Sequence, residues 1–165
     1  MYITYVQYVT LYDPIDEPLF NRLAFEACRV MDIHTTGIDN VKKLRLFFPS
    51  EEYAAQAVMH CAAGIINLLN QIRIAEVAAL ESRGVESTEQ GVRGRVITSV
   101  SAGNESISYS TGGSGSATAI DAAVGNRTVR DKMIAEIVWE YLAGVQDANG
   151  VNLLFMGMYP RRYVC

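Results

Sequence analysis

Lysine is scarce in this chain. Lys42, Lys43 and Lys132 are the only three among 165 residues, the arginines are scattered, and the formal net charge is −4. A protein that reads DNA needs a basic face to neutralise phosphates, so tight DNA binding is not expected. An acidic protein can still surround DNA without gripping it, because like charges repel. The same scarcity argues against a nucleotide site at residues 110–116 (STGGSGS): a P-loop needs a lysine followed by Ser or Thr, and no lysine lies between Lys43 and Lys132. That glycine-rich run reads instead as a flexible linker. Metal ligands are equally few. There are two histidines, His34 and His60, and no CxxC, HExxH or EF-hand pattern, so no metal and no cofactor is expected. No serine sits in a GxSxG turn, and no catalytic residue is assigned.

Other absences narrow the setting. The three cysteines, Cys28, Cys61 and Cys165, are odd in number and lie among apolar residues, which suits reduced thiols in a cytosolic product. The N-terminus lacks the basic and apolar regions of a signal peptide. Residues 53–72 contain no Asp, Glu, Lys or Arg, but Gln56, His60, Asn67, Asn70 and Gln71 make them a poor membrane span. Charged residues make up 19% of the chain, below the usual ~25%, a first hint that other subunits cover part of the surface.

Helical signals are plentiful. At the N-terminus Thr4 and Gln7 have capping-box spacing, so a helix can start at Tyr5; the alternation there also permits a strand. Residues 16–33 read as a helix, with Asp16 as cap, Glu17 and Pro18 in the first turn, and Phe20, Leu23, Ala24, Ala27 and Met31 on one face. Thr35, Thr36 and Gly37 end it, and residues 38–48 form a connection with room for a helical turn. Ser50, followed by Glu51 and Glu52, opens a helix expected to run to about residue 80, a rod of ~45 Å. Its centre is apolar nearly all round and must be covered nearly all round, either by neighbouring subunits or by the other helices. Val129, Met133, Ile134, Ile137, Val138, Tyr141 and Leu142 mark a last helix over residues 128–143, with Gly144 or Gly150 able to end it.

Between these helices the composition changes. Residues 82–126 hold eight of the thirteen glycines, nine serines and four threonines. Inside this stretch, residues 94–110 (GRVITSVSAGNESISYS) show two short alternating runs around Gly103-Asn104, the pattern of a β-hairpin. A lone hairpin is marginal in water, so this one must pack on the helices or pair with another chain.

Four stretches, in order and covering roughly half the chain, resemble the head–tail connector (adaptor) proteins of long-tailed bacteriophages. Residues 20–37, with Ala27, Asp32 and Thr35 in their usual places, resemble that family's first core helix. Residues 41–69 look like its connection and long helix, residues 94–110 are similar to its hairpin, and residues 139–158 resemble its closing segment. The resemblance implies a mainly α fold: a small helical bundle with a long central helix and a projecting β-hairpin. It implies one connector domain over residues 1–165. The helical core would span about 16–81 and 127–145, the hairpin and Gly/Ser-rich loop about 82–126, and a C-terminal tail 146–165. It further implies a dodecameric ring in the virion, bound to the portal protein on one side and to a stopper or tail protein on the other, with genomic DNA passing through. Such a protein is made in the bacterial host cytoplasm and acts at the head–tail junction, without a membrane.

Candidate subunit or partner contacts are Val96, Val100, Ile107 and Tyr109 on the hairpin, and Arg161, Arg162 and Tyr163 in the tail, where two arginines can meet phosphate or an acidic partner. Packing of the hairpin on its own helices, and a solvated tail, are the plainer readings. Other functions carried alongside are a different neck, tail-completion or minor head protein, a small helical enzyme binding a phosphorylated ligand, and a helical DNA-binding regulator.

Overall fold

The computed structural model describes residues 1–83, 87–88, 91–92, 96–101, 106–110 and 119–160. The protein is mainly α-helical. Its contacts divide it into two compact units, one formed by residues 1–70 and 128–165 and the other by residues 71–127.

The first unit begins with α1 (Tyr5–Leu11). The capping box decides between helix and strand here: the Thr4 hydroxyl accepts from the Gln7 amide at 3.3 Å, and the Gln7 side chain accepts from the Thr4 amide at 2.9 Å. Two of the orphan donors of the first turn are thereby satisfied. Next comes α2 (Glu17–Thr35), which buries Phe20, Ala24, Ala27 and Met31, as their spacing predicts, together with Leu19, Asp32 and Thr35. The expected Asp16 cap is not made, although Asp16 stands at the N-cap position. An N-cap oxygen bonds the amide of the second or third helical residue, and Pro18 at the second position has no N–H to offer. Tyr5 meets Phe20 edge-on at 5.4 Å, and Tyr8, fully buried, lies 5.5 Å from the same ring. These contacts pin α1 to α2.

The turn α3 (Lys43–Leu46) packs on α2. It is followed by α4 (Glu52–Arg83), a few residues longer than the sequence suggests. Val58 and every residue from Cys61 to Ile66 are buried within the chain. Of the two coverings open to this apolar stretch, the chain supplies its own. At Gly64 space is tight: a methyl group there would stand 3.3 Å from Ile137 Cγ2 and 3.6 Å from the Tyr141 ring. A larger residue would push the two helices apart. His60 stacks on Tyr141 at 6.3 Å in the same interface.

Two paired segments follow. The strands β1 (Ser87–Thr88) and β2 (Gly91–Val92) pair antiparallel where the sequence gives only loop signals. The strands β3 (Val96–Ser101) and β4 (Ser106–Ser110) also pair antiparallel. The expected linker is not loop throughout, because α5 (Ala119–Ala123) forms at its end, where three alanines favour helix. Residues 111–118 lie outside the described residues.

The last helix, α6 (Arg127–Leu142), buries Ile134, Val138 and Leu142. Gly144 ends it at φ +82°, a left-handed conformation that favours glycine. The segment after it runs back to the α2–α3 connection. Ile38 donates its amide to the Met156 carbonyl at 3.1 Å, and Ala148 donates to the Phe47 carbonyl at 3.2 Å. Gly37 fits under this segment only because it lacks a side chain: a methyl group would stand 2.5 Å from the Gly157 carbonyl oxygen.

Candidate functional site

A charged surface of the first unit lies at the C-terminal end of α2. A cavity of about 440 Å³ opens there. From α2 it is lined by Arg29, Asp32 and Ile33; from the following connection by Thr36, Gly37, Asn40 and Lys42; and from α3 by Arg45. Helix α2 ends at Thr35, where the Thr35 hydroxyl donates back to the Met31 carbonyl at 2.8 Å. The chain then doubles back, with Thr36 bridging to Lys42 and Asn40 in the left-handed region at φ 59°. This tight reversal places Lys42 and Arg45 beside the last turns of α2.

Asp32 organises the cavity. Its carboxylate accepts from the Tyr2 hydroxyl at one oxygen and from Arg45 Nε at 2.5 Å at the other, and its side chain is only 8% exposed. Burial and this hydrogen bond push the Tyr2 hydroxyl well above the ordinary tyrosine range, so it stays protonated and donating. The carboxylate holds the Arg45 guanidinium above its ordinary value as well. Arg29 is held on the rim by Glu26, with Nε to Oε2 at 2.9 Å. Three cations thus line the cavity, Arg45 paired with Asp32 and Arg29 with Glu26, a local excess of one positive charge in an acidic chain. Such a set attracts a carboxylate or other oxyanion at Lys42, with Asn40 and Thr36 as neutral polar neighbours.

Nucleophilic chemistry is poorly supported by its surroundings. Cys28 accepts the Tyr2 amide at 3.4 Å, but burial raises its thiol above the ordinary range. Cys61 is fully buried and pushed up to about 12, so it remains a thiol and packs as one. His34 is lowered by burial, against the field of Asp131.

A second polar cluster has a structural reading. Lys43 is 1% exposed and donates to the Asn152 carbonyl at 3.1 Å and the Phe155 carbonyl at 2.5 Å, with burial lowering its pKa. Asp147 accepts the Asn149 and Val151 amides and the Tyr159 hydroxyl, while Asp39 accepts the Tyr159 amide at 2.5 Å. The Tyr159 ring stacks on Phe47 at 4.9 Å. These groups lock the C-terminal segment onto the α2–α3 connection.

Of the contact residues expected from sequence, Val96, Val100, Ile107 and Tyr109 are placed by backbone register. Val100 stands opposite Ile107 and Val96 opposite Ser110. A register shift between Ile97 and Ser99 brings Ile97, rather than Thr98, opposite Tyr109. Arg161, Arg162 and Tyr163 lie outside the described residues. The cavity itself escapes the sequence reading. Its one visible signal is the basic run Lys42-Lys43-x-Arg45, in which Lys43 turns inward and the other two face the cavity.

Large apolar side chains also remain exposed on this unit: Phe25 and Ile33 on α2, Ile38 in the connection, Leu46 on α3, Tyr53 at the start of α4 and Trp139 on α6. Among the described residues, no helix is long and apolar enough to cross a membrane. No family model matches the chain, and neither a curated protein nor a solved structure shows significant similarity to it.

Proposed function

We propose that this protein is a non-enzymatic subunit of the head–tail connector of a long-tailed bacteriophage, forming a ring beneath the portal and joining the capsid to the tail, with DNA passing through. In this reading the fold is a small helical bundle with a long central helix and a projecting β-hairpin formed by β3 and β4. The hairpin and the C-terminal tail meet neighbouring subunits, the portal, or a stopper or tail protein.

One observation carries the reading. The first unit completes its own core, with Cys61 to Ile66 buried, and still leaves Phe25, Ile38, Tyr53 and Trp139 more than two-thirds exposed. Isolated apolar residues on a surface are ordinary. Several large ones beside a finished core are economical if other chains cover them. The four resembling stretches and the acidic balance point the same way.

The test is native mass, measured on the purified protein alone and after mixing with the portal protein from the same gene cluster. A ring, or a complex saturating at one copy per portal subunit, is expected. A monomer that ignores the portal overturns the reading and favours a different virion role.

A further inference from the structure

The cavity at the end of α2 has an electrostatic counterpart at the start of the same helix. Asp13, Asp16 and Glu17 are all exposed, and Asp16 does not spend its carboxylate on capping. Pro14 and Pro18 restrict the backbone of this loop. The Tyr5 hydroxyl donates to the Ile15 carbonyl at 2.8 Å and fixes it to α1. The acidic groups are therefore presented on a pre-shaped loop. Along α2, Glu17 stands twelve residues before Arg29, the first lining residue of the helix, about 18 Å at ~1.5 Å per residue, so the loop cannot enter the cavity of its own chain.

We propose that the cavity receives the acidic loop of residues 13–17 from a second copy of this chain. The charges match: Arg29, Lys42 and Arg45 exceed Asp32 and Glu26 by one, Lys42 is exposed, and the arriving loop brings three carboxylates and no cation. The apolar surroundings match too. Ile33 lines the cavity, and exposed Ile38 and Leu46 flank its lining residues in the chain. The loop is bordered by Leu11 and contains the half-buried Ile15. A concave site of this size, with a carboxylate already inside it, suits a few side chains better than a DNA backbone. Donor and acceptor surfaces differ and each copy carries both, so the contact is heterologous and closes into a ring if the rotation between copies allows. The inference rests on the ring reading and supplies a contact that joins neighbours.

The experiment combines zero-length cross-linking with charge exchange. Isotopically light and heavy proteins are mixed, assembled alone or on the portal, treated with a carbodiimide, and analysed by mass spectrometry. Light-to-heavy links from Lys42 to Asp13, Asp16 or Glu17 are expected. Lys42→Glu and Asp16→Lys, both exposed positions checked for folding by circular dichroism, should each weaken assembly about tenfold, since each replaces attraction by repulsion. An equimolar mixture of the two variants should restore it, because each then offers what the other lacks. If rings form but Lys42 links instead to Glu51, Glu52 or a portal carboxylate, or the mixture stays unassembled, this contact is wrong while the ring reading stands. If nothing assembles with or without portal, both fall. Retention of DNA by the wild-type protein that Lys42→Glu abolishes would reassign the cavity to phosphate and overturn the proposal.

Discussion

The middle of α4 and the seam between residues 36–47 and 145–159 both hold the first unit together, but by different forces. In α4, Val58 and the run from Cys61 to Ile66 are buried, with Gly64 set against the Ile137 and Tyr141 side chains. Along the seam, Lys43 and Asp39 carry the contact through hydrogen bonds to backbone groups more than a hundred residues away in the chain, and Asp147 fixes the far side by accepting from Asn149, Val151 and the Tyr159 hydroxyl. The first region gains stability from area removed from water. The second loses stability whenever one partner is left without the other, because a buried polar group with no partner is costly. The first should tolerate similar apolar volumes, and the second should tolerate almost no change of chemistry.

Truncation in the apolar region gives the largest expected effect. Ile65→Ala should cost about 4 kcal/mol, the usual loss for a fully buried branched side chain, whereas Ile65→Leu should cost about a third of that. Chemical denaturation at neutral pH and at high salt measures both, and the loss should not depend on salt. In the seam, Lys43→Met keeps the volume but leaves the Asn152 and Phe155 carbonyls without their donor, at about 3 kcal/mol. A Lys43→Met variant as stable as the wild type would show that the seam is held by shape alone. Next in size, Gly37→Ala should cost about 2 kcal/mol, because the Gly157 carbonyl must move to admit a methyl group. Hydrogen exchange at Ile38 should rise in this variant while amides in the middle of α4 keep their protection.

The smallest effect separates the regions by pH. The Tyr159 and Val41 amides hold the Asp39 carboxyl below the usual carboxylate range. A lowered folded pKa contributes stability that is fully present above the unfolded value near ~4 and is lost as pH falls through the folded value. Thermal stability of Asp39→Asn should therefore fall less steeply than that of the wild type below about pH 4, and Ile65→Ala should keep the wild-type slope.

The contrast also explains what could be read from sequence. Helical spacing exposes an apolar face directly, so α2, α4 and α6 are legible to within a few residues. The capping signal at Thr4 is legible because both its members lie in one turn. The seam is not, since nothing local tells Lys43 from Lys42, although one is buried and the other exposed. The cavity shares this obscurity: its charge comes from Arg29, Lys42 and Arg45, which only a chain reversal after Thr35 brings together. Asp16 misleads in a different way, because the proline that marks the helix start also removes a donor the cap would use.

Lys43 finally sets a timetable for synthesis. Its acceptors are supplied by Asn152 and Phe155, and the first unit is interrupted by the whole of residues 71–127. A nascent chain therefore leaves Lys43 without these acceptors while the intervening unit is still being translated. Contacts across such separations form slowly. The burial of this lysine is thus one of the last steps of the fold, although every residue lining the cavity at the end of α2 has emerged more than a hundred residues earlier.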